Sequence, residues 1–222
     1  MMERTWTQSG STAKYSYNNE AFKNIDTEDK AYWLGFMYAD GYVSKNVDKF
    51  ALSLAEKDKN HVGEFRDFIV PDRELEYQEG QKSYRITISS KEITADLVSK
   101  GCTPQKSLTL QPPPEGAIPD QLVRHFIRGY FDGDGSAMLK KNGSRVCISI
   151  LGTESMLEFI VSYFKSQGVA CRSKIRKPKE YNAYVWADES TSDIMKIYHL
   201  LYDESTIFLD RKRAVMENVF SL

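Results

Sequence analysis

Apolar and polar residues follow two different periods along this chain, and together the periods predict an α+β fold. Residues 50–54, 84–88 and 146–150 alternate between apolar side chains and polar or small ones, which is the pattern of strands with one buried face. Longer segments carry apolar residues three or four positions apart, which predicts amphipathic helices. These segments follow the same order twice, so we expect tandem pseudo-symmetric αββαββα repeats. Each repeat would form an antiparallel sheet with helices on one face and a bare second face.

The predicted elements divide the chain into two similar parts. The first has a helix from about residue 27 to 40, a hairpin around 46–48, helices at about 58–69 and 90–100, and strands at 74–80 and 83–89. The second has a helix that ends at Asp134, strands at about 136–141, 145–151, 170–177 and 182–187, and helices at about 153–167, 190–202 and 210–220. We therefore expect a flexible polar arm over residues 1–19, a first half over 20–110, a proline-rich linker over 111–119 and a second half over 120–222.

A short motif occurs near the start of each half, as WLGFMYADGYV at residues 33–43 and IRGYFDGDGSA at residues 127–137. Small residues four positions apart form a flat stripe on one face of each motif helix, so the two helices can pack with their backbones close together. The residues of this predicted helix interface are Gly35, Ala39, Gly129 and Gly133.

Each motif ends in an aspartate that is followed by glycine, Asp40 and Asp134. If the helices pack along their small residues, the two carboxylates lie side by side, and like charges at that range repel unless a cation lies between them. Carboxylate oxygens at an open site suit Mg²⁺ or Ca²⁺, and Mg²⁺ completes its shell with water and phosphate oxygens. The pair therefore indicates a phosphodiester substrate.

The two motifs resemble those of the LAGLIDADG homing endonucleases, in the single-chain form that carries both. The resemblance extends to CTPQKSLTL at residues 102–110 and LYDESTIFLDRKRAVM at residues 201–216, and it covers roughly residues 20–220. It implies two antiparallel sheets that form a DNA-binding saddle, with the motif helices packed at its centre. It also implies a site-specific endonuclease that hydrolyses both strands of a long asymmetric DNA target and leaves 3′ overhangs. The implied cofactor is Mg²⁺, with Ca²⁺ or Mn²⁺ as substitutes for binding or activity.

The resemblance also implies roles for individual residues. Asp40 and Asp134 would be catalytic and would hold the metal, with Ala39 and Gly133 as further metal ligands. Lys106 and Lys212 match the basic residues beside the active sites of the family and would polarise water, with Arg211 as a weaker companion. Simple phosphate clamps or solvated lysines are the alternative interpretation of the two lysines.

Strand alternation selects the side chains on the bare faces of the two sheets. A two-stranded ribbon fits the major groove, where Arg and Lys read guanine and Asn or Gln reads adenine. Counted from the aspartates, Ser44 and Asn46 correspond to Met138 and Lys140. The predicted DNA contacts are Ser44, Asn46, Lys49, Ser53, Arg85, Thr87, Met138, Lys140, Arg145, Ser149, Arg172, Lys174 and Arg176.

The charge distribution bears on the predicted partner. A net charge of −1 predicts no strong overall attraction to a polyanion. The charge is uneven, because residues 1–118 carry 15 basic and 18 acidic side chains whereas residues 119–222 carry 15 and 13. Residues 172–179, RSKIRKPK, hold five cations and no anion, as expected of a strand that contacts phosphates. A solvated basic edge strand is the alternative.

The remaining composition points to a compartment. Three cysteines without a paired or zinc-like spacing predict reduced thiols. No long apolar run and no signal peptide are evident, so we expect a monomer in the cytoplasm or an organellar matrix, without a membrane partner.

Two other function classes stay open at the level of sequence. One is a maturase that binds intron RNA on the same scaffold, and the other is a DNA-binding regulator derived from a nuclease. The regulator is the weaker alternative, because both aspartates are intact and no helix-turn-helix pattern is evident. Cleavage with Mg²⁺ separates the nuclease from both, and splicing assays identify the maturase.

Overall fold

The computed structural model describes residues 6–8, 15–140, 143, 145–179 and 182–221. Its helices are Glu28–Ala39 (α1), Lys59–Ile69 (α2), Lys91–Ser99 (α3), Val123–Asp134 (α4), Glu154–Ser166 (α5), Thr191–Tyr202 (α6) and Asp210–Glu217 (α7). Its strands are Trp6–Gln8 (β1), Ser16–Asn18 (β2), Tyr42–Val43 (β3), Lys49–Ala55 (β4), Glu76–Gln78 (β5), Ser83–Ser89 (β6), Gly135–Leu139 (β7), Val146–Gly152 (β8) and Tyr184–Asp188 (β9). Short 3₁₀ helices occupy Glu56–Asp58, Glu79–Gln81, Lys106–Leu108, Asp120–Leu122 and Asn218–Ser221.

Two antiparallel sheets follow the two motif helices. The first sheet has the strand order β3-β4-β6-β5 and the second has the order β7-β8-β9. A small pair, β1-β2, precedes them. The prediction of an α+β fold with two antiparallel sheets is confirmed, and α1 and α4 pack against each other at its centre.

The packing of α1 against α4 is close enough to require glycine. A Cβ atom at Gly35 would lie 2.0 Å from the carbonyl oxygen of Phe126, and one at Gly129 would lie 1.9 Å from that of Tyr32. These separations are far below van der Waals contact, so each glycine lies against the backbone of the facing helix. Residues 31–38 of α1 are all buried, as expected of a helix that is enclosed on every side.

A buried ion pair joins the two motif helices at their N-terminal side. Arg128 of α4 is fully buried, and its Nη2 atom donates to Glu28 Oε1 of α1 at 2.6 Å. The guanidinium also donates to the carbonyl oxygens of Ile207 and Leu201, each at 2.9 Å. Because every one of these partners is an acceptor, the buried charge is compensated.

The second sheet is one strand shorter than predicted. The expected strand at 170–177 is wrong, because only Arg176 pairs there, through backbone hydrogen bonds of 3.0 and 2.8 Å with Val185. Cys171 has a left-handed φ of 44°, and the amide groups of Ala170 and Cys171 donate to the side chain of Asp193 rather than to a strand. The basic segment at residues 172–179 therefore begins as a loop. It is held by the Ala170 and Cys171 amides at its start and by the pairing of Arg176.

The segment predicted as a flexible arm contains regular structure among its described residues. β1 and β2 pair, and Tyr17 and Asn18 are buried. The Asn18 Nδ2 atom donates to the carbonyl oxygen of Phe68 at 3.2 Å, which ties β2 to the end of α2. The polar composition of the segment gave no indication of this contact.

Residues 111–119, all of which the structure describes, contain no helix or strand, as their four prolines predict. Within the described part of the chain, no helix combines the length and the apolar composition needed to cross a membrane.

Candidate active site and nucleic-acid interface

The two motif aspartates lie at neighbouring helix ends. Asp40 directly follows α1, and Asp134 is the last residue of α4. A Cβ atom at Gly133 would lie 2.3 Å from Ala39 Cβ and 3.4 Å from Asp40 Oδ2, so the carboxylate of one motif rests against the backbone of the other. The side chain of Asp40 reaches solvent, and Asp134 is half-buried.

The surroundings of this carboxylate pair disfavour ionisation. Burial and, next, the charge of Asp40 raise the pKa of Asp134 to about 6. The pKa of Asp40 is also raised, because the surrounding protein removes much of its hydration even though its outer edge is exposed. Lys212, Lys106 and Arg211 oppose that rise. When both carboxylates are ionised they repel each other, and a cation bound between them removes that repulsion. The raised pKa values therefore indicate a site that favours a bound metal ion.

A lysine binds the carbonyl oxygens at the end of each motif helix. Lys106 Nζ donates to the carbonyl oxygens of Gly41 and, at 3.5 Å, Ala39. Lys212 Nζ donates to the carbonyl oxygens of Phe131 at 2.9 Å, Asp132 at 2.5 Å and Gly133 at 2.9 Å. Both lysines are buried, and a cation at this position complements the negative end of the helix dipole.

The same hydrogen bonds limit what the lysines and carbonyls can do. An ammonium group has three donors, and all three donors of Lys212 meet backbone oxygens. Burial lowers the pKa of Lys212 to about 8. The carbonyl oxygens of Ala39 and Gly133, predicted as metal ligands, each already face an ammonium group and keep one further lone pair for a metal.

The electrostatic pairing of lysines and aspartates crosses between the motifs. Among the cations that stabilise ionised Asp40, Lys212 contributes most, and among those that stabilise ionised Asp134, Lys106 contributes most. Each lysine therefore binds the end of its own motif helix and also stabilises the ionised aspartate of the other motif, while the largest charge effect on Lys212 comes from Asp132. This arrangement couples the two halves at the site.

Asp132 is an anchor that sequence reasoning missed. It lies in the last turn of α4, and its buried carboxylate accepts from Tyr32 Oη at 2.9 Å, Tyr202 Oη at 2.8 Å and the Leu209 amide at 2.8 Å. Burial raises the pKa of Asp132. These bonds fix the last turn of α4 against α1, α6 and the residues before α7. No local sequence pattern indicates these hydrogen bonds, because the partners are distant in the chain.

Arg211 joins the two halves beside the site. Its Nε and Nη2 atoms donate to the two carboxylate oxygens of Asp58 at 2.8 and 3.0 Å. Asp58 is buried at the start of α2, and the Arg211 side chain is 44% exposed. This bidentate geometry fixes the guanidinium with part of its donor surface open to solvent.

The ligand atoms at this site suit a magnesium ion whose remaining ligands come from water and a substrate phosphate. Among the described residues, no three or more His, Cys, Asp or Glu side chains come together as a metal cluster. Two carboxylates and two backbone carbonyls at an open surface leave several positions for water and phosphate oxygens, which is the ligand set that Mg²⁺ accepts. Asp40 and Asp134 would hold the ion.

The open face of the first sheet is polar. Across its strands Lys49 lies opposite Ser89, Ala51 opposite Thr87 and Ser53 opposite Arg85, whereas Phe50, Leu52, Ile86 and Ile88 are buried on the other face. The Ser53 and Ser83 hydroxyl groups donate to Gln78 Oε1 at 3.4 and 3.2 Å. Arg85 Nε is buried and has no hydrogen-bond partner among the described residues.

The second sheet presents a basic groove at its outer edge. An open groove of about 610 Å³ is lined by residues that include Arg145, Arg172, Ser173, Lys174, Arg176, Ala187, Asp188, Glu189, Ser190 and Asp193. Its carboxylates are engaged: Asp188 accepts from the Ser190 amide, Asp193 from the Cys171 amide, and Glu189 from Lys140 Nζ at 2.5 Å. The groove therefore presents mainly cations to solvent. Lys140, a predicted DNA contact, is shared with Glu189.

The correspondence between the two hairpins differs from the prediction. The Ser44 amide donates to the Lys49 carbonyl at 2.9 Å, and the Lys140 amide donates to the Arg145 carbonyl at 2.9 Å. Ser44 thus occupies the position of Lys140, not of Met138, because β7 is longer than β3. The correspondence obtained by counting residues from the two aspartates is therefore wrong. Asn46 lies in the turn of the first hairpin, where its backbone amide donates to Ser44 Oγ at 3.4 Å.

Comparisons with known proteins agree with this architecture. A family model for a LAGLIDADG-like domain matches residues 121–202. Among curated proteins none is similar in sequence to this chain. The LAGLIDADG meganuclease I-AabMI bound to uncleaved DNA has a TM-score of 0.58 at 14% identity, over 86% of this chain and 88% of that chain.

Two further solved structures share the fold. The I-LtrWI LAGLIDADG homing endonuclease bound to target DNA has a TM-score of 0.57 at 12% identity, over 91% of this chain and 90% of that chain. A structure of mesophilic variants from the homing endonuclease I-DmoI has a TM-score of 0.56 at 17% identity, over 84% of this chain and 95% of that chain. The resemblance that the two motifs suggest is thereby confirmed, and the saddle fold is shared across most of the chain.

Proposed function

We propose that this chain is a site-specific endonuclease that hydrolyses both strands of a long, asymmetric double-stranded DNA target with a divalent metal ion. The observation that carries the proposal is the contact between the two motif ends, where Asp40 lies against Gly133 and raises the pKa of Asp134. A carboxylate pair of this kind, between two open sheet faces, suits the two scissile phosphates of a duplex. The DNA-bound structures of similar fold support the same substrate.

The residues of the chain would divide the work between binding and chemistry. Asp40 and Asp134 would hold the metal ion, which when bound would supply a Lewis acid to activate water and to stabilise the leaving 3′ oxygen. Lys106 and Lys212 fix the helix ends and add positive charge where phosphate charge develops. The sheets hold the duplex in register, and a single chain with two motifs acts as a monomer.

The geometry also bears on the product. The aspartates lie together at the ends of the paired motif helices, and the family resemblance implies that two cuts made there fall across the minor groove and leave short 3′ overhangs. The two sheets differ in the residues of their open faces, so the two half-sites differ in sequence. A target that spans both sheets is long and lacks a two-fold axis.

The test is to sequence the ends that the protein produces from a randomised or host-derived DNA library with Mg²⁺. We expect staggered double-strand breaks at one long sequence. Asp40→Asn and Asp134→Asn should abolish them, and Asp72→Asn, an exposed aspartate after α2, should leave them unchanged. Selective binding of library DNA without cleavage would refute the nuclease and would direct attention to an RNA maturase, which intron splicing assays test.

A further inference from the structure

We propose that the two sheets read DNA by different chemistry, and that the second sheet recognises thymine methyl groups in its half-site. The inference rests on the proposed function, because it concerns how the same saddle selects its target. The recognising surface is a strip on the open face of the second sheet. Its apolar residues are Met138, Cys147, Leu151, Val185 and Ala187, and they lie around Ser149, which is between Cys147 and Leu151 on β8.

The strand register places the members of this strip on one face. Met138 lies directly opposite Cys147, and Leu151 lies directly opposite Val185. Directly opposed side chains in antiparallel strands are in contact on the same face of a sheet. The alternate residues of β8 point the other way into the core, so the members of the strip cannot turn inward.

The strip is open to solvent to an extent that is unusual for such side chains. Met138 is 57% exposed and Leu151 is 40% exposed. Apolar side chains grouped on an open sheet face indicate a binding surface, because large exposed apolar patches are uncommon where a protein surface has no partner. The strip begins at Met138, on the strand that directly follows Asp134.

The charges around the strip identify the occupant as a polyanion. Arg176 lies directly opposite Val185, and Ala187 itself lines the groove that carries Arg145, Arg172 and Lys174. An apolar protein segment would leave these cations without partners, whereas the major groove places base edges, with the thymine methyl group among them, between two phosphate backbones. The strip would face the base edges and the cations would face phosphates.

Only one feature of the major groove matches an apolar side chain. Guanine and adenine present acceptors and an amino group, cytosine presents an amino group, and thymine presents a methyl group. The open face of the first sheet carries mainly hydrogen-bonding side chains, among them Ser53, Gln78 and Arg85, so it suits purine edges. Its exposed aromatic residue is Tyr42. We therefore expect thymine at the positions below the strip and purines in the other half-site.

Substitution of uracil for thymine tests this assignment, because it removes the methyl group and keeps the base pairing. The cleaved target is first selected from the library, and each half-site is then prepared with uracil in place of thymine. We expect one half-site to lose about three- to fivefold in affinity per contacted methyl group, as the burial of one methylene-sized group predicts. The other half-site should be insensitive.

A matched pair of variants connects the effect to the strip. Met138→Gln keeps the length of an exposed side chain and should abolish the sensitivity to uracil, whereas Ser53→Ala on the first sheet should keep the ratio between thymine and uracil targets. Thermal unfolding of both variants checks that the fold is retained. Equal sensitivity of the two half-sites, or an unchanged ratio in Met138→Gln, would overturn the inference.

Cysteine chemistry provides a readout that is independent of cleavage. Cys102 and Cys171 are buried and Cys147 is half-buried within the strip, so iodoacetamide should modify Cys147 first. The selected DNA should slow that reaction, and Cys147→Ser should remove it. A cleaved target that leaves Cys147 unprotected and shows no uracil effect overturns the inference and leaves the nuclease intact, whereas the absence of any bound or cleaved target overturns both.

Discussion

Lys212 Nζ donates a hydrogen bond of 2.9 Å to the carbonyl oxygen of Gly133, the residue that precedes Asp134. The same glycine packs against Ala39 of the other motif helix, so one residue connects the lysine, the helix interface and the carboxylate pair. The lysine thus fixes the position of Asp134 in addition to supplying charge.

Replacement of Lys212 by methionine should therefore affect both folding and cleavage. Three carbonyl oxygens at the end of α4 would lose the ammonium donor, and we expect a loss of about 1–3 kcal/mol in the free energy of unfolding. Cleavage should fall by about 10²–10³-fold, the order reported for one electrostatic donor at a reaction centre. Denaturant unfolding and single-turnover cleavage measure the two effects, and Lys57→Met, at an exposed position, is the control. A Lys212→Met protein with full activity would exclude the positioning role.

The close approach of α1 and α4 predicts a steep response to one added methyl group. Gly129→Ala would place a Cβ atom 1.9 Å from the Tyr32 carbonyl oxygen, so the helices must separate. We expect a loss of about 3 kcal/mol or more, because neither backbone can move aside cheaply.

The chain supplies a matched control for that substitution. Gly63 lies inside α2, and a Cβ atom there would meet no atom within 4 Å. Gly63→Ala should stabilise the protein by about 0.5–1 kcal/mol, because alanine favours the helix. Thermal or denaturant unfolding of the two variants gives the comparison, and similar effects at both glycines would contradict the observed helix packing.

The raised pKa of Asp134 predicts how stability depends on pH. Its value of about 6 in the folded chain exceeds the ordinary 3.8, so between these values the folded chain holds a proton that the unfolded chain has released. The contribution of Asp134 to stability therefore falls as the pH rises from about 4 to about 6, and it stays low above that range.

Asp134→Asn should consequently be more stable than the parent protein above pH 6. The shift corresponds to about 2–3 kcal/mol, and the gain should disappear near pH 4. Denaturant unfolding at pH 4, 6 and 8 measures it. A gain of equal size at all three pH values would show that ionisation of Asp134 is not its cause.

The same ionisation should govern cleavage in the opposite direction. A metal ion needs ionised ligands, so activity should fall as the pH drops through about 6, by about tenfold per pH unit if one proton is responsible. Single-turnover rates between pH 5 and 8 at saturating Mg²⁺ test this expectation. A rate that is constant across the range would separate the carboxylate pair from the rate-limiting step.

The sequence predicted the fold to the extent that local patterns determine it. Alternation in β8 identified Ile148 and Ile150 as core residues, and the small residues of the motifs indicated that the two helices pack. The predicted strand at 170–177 failed because Asp193, a residue far along the chain, captures the amides at its start. Alternation carries no information about such a competing side chain.

The candidate site could be predicted only in its outline. The aspartates and lysines were identified from the motifs and the family resemblance, but the carbonyl oxygens that hold Lys212 depend on how α7 approaches the end of α4. The role of Asp132 was missed for the same reason, since Tyr32 and Tyr202 are brought to it only by tertiary packing. A local sequence pattern carries no information about the distances between separate elements.

The basic groove of the second sheet predicts a salt dependence that is larger than the net charge suggests. Each lysine or arginine that neutralises a phosphate releases condensed counterions, so affinity should fall steeply between low and moderate salt. Lys174→Ala should weaken binding for every DNA sequence and reduce the slope of log affinity against log salt by about 1. Lys165→Ala, at an exposed position on α5, should leave the slope unchanged. Binding titrations from 50 to 200 mM salt measure this slope. If Lys174→Ala does not alter the slope, Lys174 is not a phosphate contact, and the interface is confined to the sheet face.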